Sequence, residues 1–331
     1  MRNLLKKLIF FSLPVIVFLL IYLVTDPFKI LYDYNDYYSK NDFVSLNRSV
    51  INTKTYIKNR GNIHYNSFIF GSSRTIAVKC KDWVEYLPDN AVPFHYDGNA
   101  ENLSGINKKI KFIDTQSDTI KYALIFIDQM LLENSINKGH LYIEYPGVSN
   151  ESWVHYHTLF IKAFSNPKFF LGYFYFKYTG NYKKFMGSKI LKLKYPNIWD
   201  PITSDLFIGL ETEIKNDSLN YYSKLKKLSE LKYKVKPEVF LPNDTEIKLL
   251  NEIKEVFDKH QTKYKIVSNP FISQFPLCNK QKELLQNIFG KENVYDFSGK
   301  SQFSLHIDNF YDASHFRRKV AKEILKEIYS N

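Results

Sequence analysis

Two short motifs at opposite ends of the chain hold the residue types that nucleophilic acyl chemistry requires. Phe70-Gly71-Ser72-Ser73-Arg74 follows a short apolar run, Phe68-Ile69-Phe70, so a turn at the glycine presents a hydroxyl at the carboxyl end of a strand. Open α/β sheets carry their chemistry at that edge. Asp312-Ala313-Ser314-His315 sets a carboxylate and an imidazole three residues apart, a spacing read as the opening turn of a C-terminal helix on which the acid orients the base. A serine hydroxyl is a poor nucleophile at neutral pH. It needs an imidazole to take its proton, and the imidazole needs a carboxylate to fix its tautomer. Ser73, His315 and Asp312 fill those roles. Asp312 also has the residue type of a helix N-cap, and the two roles are compatible.

The elements that must position these groups alternate along the chain. Strands are expected at Ser67 to Phe70, Pro93 to Tyr96, Ala123 to Asp128, Tyr264 to Ser268 and Val294 to Phe297, each short, apolar and closed by a turn or polar residue. Between them Ile106, Ile110 and Ile113 repeat at helical spacing, as do Ile247, Leu250, Ile253, Val256 and Phe257 after a cap at Asn243-Asp244. A shorter helix through Leu284 to Phe289 ends at Gly290, and a last one puts Phe316, Val320, Ile324, Leu325 and Ile328 on one face. Such alternation predicts an α/β protein with a parallel sheet covered on both faces.

From about 131 to 241 the rhythm breaks and aromatics crowd together, as in Phe169-Phe170-Leu171-Gly172-Tyr173-Phe174-Tyr175-Phe176. This reads as an insertion leaving the carboxyl end of the central strand. There it would form a lid or platform above the site, or a satellite core of its own. The domain reading is therefore an anchor at 1–25, a linker and leading segment at 26–65, and an α/β domain at 66–330 that carries the insertion.

The anchor is the uncharged run Leu8 to Val24, preceded by Arg2, Lys6 and Lys7. With its flanks it approaches the roughly 20 residues of a membrane-spanning helix, and Pro14 is tolerable there. Basic residues ahead of it stay cytoplasmic, which sends the rest to the periplasm or the outside. No small-x-small cleavage site follows Val24, so an uncleaved single-pass anchor is expected rather than a removed signal peptide.

The 331-residue chain carries a formal charge of +12, but its Lys and Arg are scattered among Asp and Glu without a basic stripe. That balance suits anionic envelope polymers or lipid headgroups better than nucleic acid. Cys80 and Cys278 have no metal-ligand spacing; they either pair in an oxidising compartment or remain separate buried thiols. His155 and His157 would share one face of a strand, with no third ligand nearby, or sit in an exposed aromatic turn. His64, His95, His140, His260 and His306 have no recognisable partner, and no cofactor or metal is expected.

The order strand, Gly71-Ser72-Ser73-Arg74, then Asp312-x-x-His315 before the final helix resembles the SGNH or GDSL hydrolase superfamily. The likeness is closest to its membrane-anchored branch, which includes alginate O-acetylation and lipoteichoic acid D-alanylation proteins. The resemblance implies a three-layer, flavodoxin-like fold and places the nucleophile at Ser73, with Ser72 standing where the family has Asp. His315 becomes the base and Asp312 its orienting acid. Oxyanion donors would be Ser73 itself, Gly98 or alternatively Asn99 in the family's second block, and Gln129 where the third block has Asn. Arg74 is either a salt-bridge partner under the sheet or a contact for a substrate anion. The implied activity is an O-acyl esterase or O-acyltransferase working on an acylated surface polysaccharide, alongside a membrane-bound acyl-transfer partner. A scaffold that keeps the fold without turnover is the alternative.

Overall fold

The computed structural model describes residues 2–38, 43–133, 141–232 and 243–330, with side chains of the first helix described at residue 7 and from Phe10 onward. Among the described residues seven strands form, in chain order β1 (Ser67–Phe70), β2 (Pro93–His95), β3 (Tyr122–Phe126), β4 (Ile198–Trp199), β5 (Leu206–Phe207), β6 (Lys263–Ser268) and β7 (Val294–Asp296). β4 and β5 make a small antiparallel ribbon, while the other five form one parallel sheet in the order β2-β1-β3-β6-β7. The chain winds from β1 to β2 on one side and then crosses to β3 on the other. This puts the topological switch point at the carboxyl ends of β1 and β3, where α/β sheets open a crevice.

Strand alternation sends side chains to two separate cores. Phe68 and Phe70 of β1 pair in register with Ala123 and Ile125 of β3, and all four face one layer. Ile69, Leu124, Phe126 and Val267 face the opposite one. The helices sort accordingly. They are α1 (Arg2–Thr25), α2 (Arg48–Ile63), α3 (Cys80–Trp83), α4 (Leu103–Thr115), α5 (Gln129–Glu133), α6 (Pro146–Ser149), α7 (Trp153–Phe164), α8 (Pro167–Thr179), α9 (Leu210–Asn216), α10 (Ser218–Lys232), α11 (Asp244–His260), α12 (Asn279–Phe289) and α13 (Arg318–Tyr329). α2, α4, α11 and α12 cover the first face, and α3 and α13 the second. Three layers result.

All five core strands form where their apolar runs predict them, shifted by one or two residues at the ends. α11 starts on a reciprocal cap: the Asn243 side chain accepts from Thr245 and Glu246 amides, and Glu246 accepts from the Asn243 amide at 2.6 Å.

Three expectations are corrected. The last helix begins at Arg318, so Asp312 and His315 lie in the preceding loop, not on its first turn; Asp312 folds back on its own loop, and a bridge between Phe310 and Phe316 closes that loop. Residues 26–65 are no mere linker, because they contain α2, whose Tyr56 is fully buried in the main core. His155 and His157 sit on α7, where two successive odd positions point to different sides, so they share no strand face.

The aromatic insertion builds a third cluster with the leading segment. Phe160 and Phe164 of α7 and Phe169 and Tyr173 of α8 pack with Tyr22 of α1 and with Phe28. α1 itself is a 24-residue helix with Pro14 inside it. Taken over the residues whose side chains are described, which in α1 run from Phe10 onward with Lys7, no helix is long and apolar enough to cross a membrane. No disulfide joins the cysteines: Cys80 is buried and Cys278 half-buried.

Candidate active site

At the end of β1 the backbone of Gly71 turns with φ +154°, and a Cβ there would collide with the Thr75 side chain and lie 3.2 Å from Phe126 Cβ. Only glycine fits this corner. The chain then makes a short 3₁₀ turn, Ser73–Ala77, held by Thr75, whose amide and hydroxyl both donate to the Ser72 carbonyl at 2.9 Å. Ser73 is thereby presented at the switch-point edge.

His315 reaches it from 242 positions away, with Ser73 Oγ and His315 Nε2 2.9 Å apart. His315 Nδ1 lies 2.9 and 2.8 Å from the two carboxylate oxygens of Asp312. Asp312 Oδ1 also accepts from the amides of Ser314, at 2.8 Å, and of His315, at 3.0 Å. One carboxylate thus folds the loop and addresses the imidazole. Burial alone would raise its pKa, but hydrogen bonding and charge from His315, with the two amides, hold it down at about 2. With Nδ1–H donated to a permanent carboxylate, Nε2 is left to accept from the serine hydroxyl. The His315 side chain is 30% exposed, so the pair opens to solvent.

The insertion braces this loop from behind. Tyr221 of α10 donates to the Tyr311 carbonyl, Tyr222 to the Asp308 carbonyl at 3.2 Å, and Arg317 pairs with Glu211 of α9. A cavity of about 250 Å³ lies between α10 and the loop, lined in part by Tyr221, Leu225, Tyr311 and Asp312.

The remaining candidates fall out differently. Arg74 Nη1 donates to Asp128 Oδ2 at 2.9 Å, and its guanidinium lies 5.2 Å from the Phe271 ring. Asp128, just past β3, is 1% exposed and also accepts from Asn269 Nδ2 at 2.7 Å. Arg74 therefore ties together the ends of β1, β3 and β6. The amide of Gly98 donates to the Gly71 carbonyl at 3.1 Å, extending the pairing of β1 and β2 by one bridge, so it is not directed at the serine. Its lack of a side chain has another cause: a Cβ would collide with Glu101, which pairs with the buried Lys109. The Asn99 side-chain oxygen accepts from the Arg48 amide at 2.7 Å. Gln129, half-buried, opens α5 directly after Asp128.

A second array went unread in the sequence. Thr75 Oγ1 lies 3.0 Å from His95 Nε2, and His95 Nδ1 lies 3.1 Å from Asp205 Oδ1, all three buried. It repeats the order hydroxyl, imidazole, carboxylate beneath the surface, where no substrate reaches. Asp205 belongs to the insertion, 110 positions from His95, which is why no local spacing reveals it. Likewise the buried Arg48 Nε donates to both carboxylate oxygens of Asp97 at 2.9 and 3.0 Å. His260 pairs with Asp114 at 2.6 Å, His157 stacks on Trp153, and His64 caps α2; His140 lies outside the described residues. Among the described residues no group of three or more His, Cys, Asp or Glu side chains is placed to hold a metal ion.

No protein-family model matches this chain, and no curated protein matches it significantly. Fold and site together define an α/β protein with a hydroxyl, an imidazole and a carboxylate aligned at the carboxyl edge of its parallel sheet.

Proposed function

We propose that the protein is an envelope-facing, serine-dependent O-acyl esterase or O-acyltransferase of the SGNH type, acting on a cell-surface polysaccharide. The observation that carries this reading is the 2.9 Å approach of Ser73 Oγ to His315 Nε2 with Asp312 behind the imidazole. In this mechanism His315 takes the Ser73 proton as Oγ attacks an ester carbonyl, and Asp312 stabilises the imidazolium that forms. The proton then passes to the departing alcohol oxygen, leaving an acyl-Ser73 ester. Water resolves it in an esterase, a sugar hydroxyl in a transferase, with His315 again the base. The oxyanion candidates are the Ser73 amide and the side-chain amides of Asn99 and Gln129, since the Gly98 amide is given to the Gly71 carbonyl and Asn99 meets the Arg48 amide through its oxygen only.

The location reading rests on α1. Its apolar run behind Arg2, Lys6 and Lys7, and its exposed Phe10, Phe11, Val17 and Leu20, support a helix held in lipid with residues 26 onward outside the cytoplasm. A membrane-bound partner would supply the acyl group there.

The test uses the full chain in detergent with 4-nitrophenyl acetate. One serine should become acetylated, peptide mass mapping should place it at Ser73, and both Ser73→Ala and His315→Ala should abolish the label. A folded wild type that takes no label from this or longer acyl esters overturns the enzyme reading. It would favour the scaffold alternative, which the commitment of the Gly98 amide supports.

A further inference from the structure

The helix α8 is apolar on every side. Phe169 and Tyr173 are buried, at 5% and 6% exposure, yet Leu171, Tyr175 and Tyr178 stand 60%, 37% and 80% exposed on another face. Those three recur at helical spacing of four and three and form one stripe. A helix hydrophobic all round ordinarily has burial on all sides, and the protein supplies it on one only.

The position of the stripe names its occupant. Phe18 of α1 packs against Phe170 of α8, ring centroids 5.9 Å apart, and against Phe164 of α7 at 5.2 Å. The apolar run of α1 ends at Val24, six residues beyond Phe18, which is about 9 Å along a helix. With α1 in a bilayer, whatever packs on Phe18 sits about one headgroup depth below the surface, where interfacial helices bury their apolar faces by about 5–10 Å. Composition agrees. The segment Pro167 to Thr179 has no acidic residue, is dominated by Phe and Tyr, and carries its two cations, Lys168 and Lys177, near its ends. Aromatic rings with flanking lysines that reach for phosphate are the make-up of the membrane–water boundary.

We infer that the exposed stripe of α8 is a second membrane contact, lying at the headgroup and acyl boundary beside α1. The inference rests on the anchor reading of α1 and extends it: the protein would be held at two points, with its orientation to the bilayer fixed rather than swivelling on a single helix. The catalytic edge would then keep a set height above the surface.

Single-cysteine fluorophore labelling of the full chain in phosphatidylcholine–phosphatidylglycerol vesicles tests it, in a Cys278→Ser background in which Cys80 is buried. Labels at Leu171→Cys and Tyr175→Cys should be quenched by lipids carrying a shallow doxyl group, as should Leu20→Cys in α1. Leu305→Cys, exposed and outside α1, α7 and α8, should not be. Quenching at Leu20→Cys without quenching at Leu171→Cys and Tyr175→Cys overturns the inference and leaves the anchor standing. Loss of quenching at all three overturns both. A disulfide-linked dimer through Leu171→Cys, with no lipid quenching, gives the stripe to a second copy of the chain and also overturns it.

Discussion

Replacing Asp312 by asparagine isolates the carboxylate's effect on the imidazole from its effect on the loop. Asp312 Oδ1 accepts from two backbone amides, at 2.8 and 3.0 Å, and an asparagine oxygen can keep both bonds. What asparagine cannot keep is an acceptor for Nδ1–H on its second atom, which lies 2.8 Å from the ring in the native chain. Its amide group donates instead, and because the retained oxygen, 2.9 Å from Nδ1, is already taken by the two backbone amides, the tautomer with the lone pair on Nδ1 and the proton on Nε2 is favoured. The imidazole then points a donor at Ser73 Oγ, and the base is lost although no atom has moved. A tautomer inversion of this kind costs roughly 10⁴-fold in turnover, or about 5 kcal/mol in the barrier. Full-length wild type and Asp312→Asn should show equal thermal unfolding profiles within a few degrees at neutral pH, while acetylation of Ser73 by 4-nitrophenyl acetate slows by that factor. Asp312→Asn labelling within tenfold of wild type, with the fold intact, refutes the reasoning.

Ser73→Ala and His315→Ala should lose labelling to a similar degree, and the double variant no more than either, because members of such a unit are not additive; separate, multiplying losses would break the assignment. The Asp312 carboxyl, whose pKa falls on folding to about 2, adds stability that is fully present above the ordinary carboxylate pKa of about 4. Any stability advantage of wild type over Asp312→Asn should therefore shrink as pH falls from 4 toward 2, as followed by denaturant melts. Lys79 has the same sign of linkage at higher pH: burial lowers its pKa to about 8 despite nearby Asp205, so between pH 8 and about 10.4 the unfolded chain holds the extra proton. Its contribution to stability rises across that window, and Lys79→Met should remove this rise from the pH profile. Arg74→Ala strands the buried Asp128 carboxylate and should destabilise by about 3–5 kcal/mol in urea melts; a change under 1 kcal/mol would show that Arg74 does not hold the strand ends together.

The sheet was readable because each core strand is a short apolar run closed by a polar or turn residue, and because β1 and β3, buried on both faces, leave no competing period. The start of the last helix departs from the sequence expectation for a chemical reason. Asp312 turns back onto the amides two and three residues ahead, the same bonds an N-cap makes, and sequence does not reveal that the chain then runs extended through Phe316 before the helix begins. α8 was legible as an aromatic tract but not as a helix, since residues apolar on all sides give no period to read. Long-range partners left no trace at all: Arg48 with Asp97 and His95 with Asp205 meet only because separate layers bring them together. Of the site, Ser73, His315 and Asp312 were legible as types in order. The commitment of Gly98 was not, because it depends on a backbone bridge and on Glu101 packing where a side chain would go.

The buried line from Thr75 through His95 to Asp205 bears on whether the insertion can be treated as a separable module. Asp205 accepts from the Cys80 amide at 2.9 Å as well as meeting His95, so the insertion supplies a keystone for the very corner from which Ser73 projects. Excising it would leave an imidazole in the sheet layer without its acid, and a helix amide without its acceptor. Shortened versions of the protein, or chimeras that graft this aromatic segment onto another sheet, should therefore be inherited as a package with Thr75 and His95.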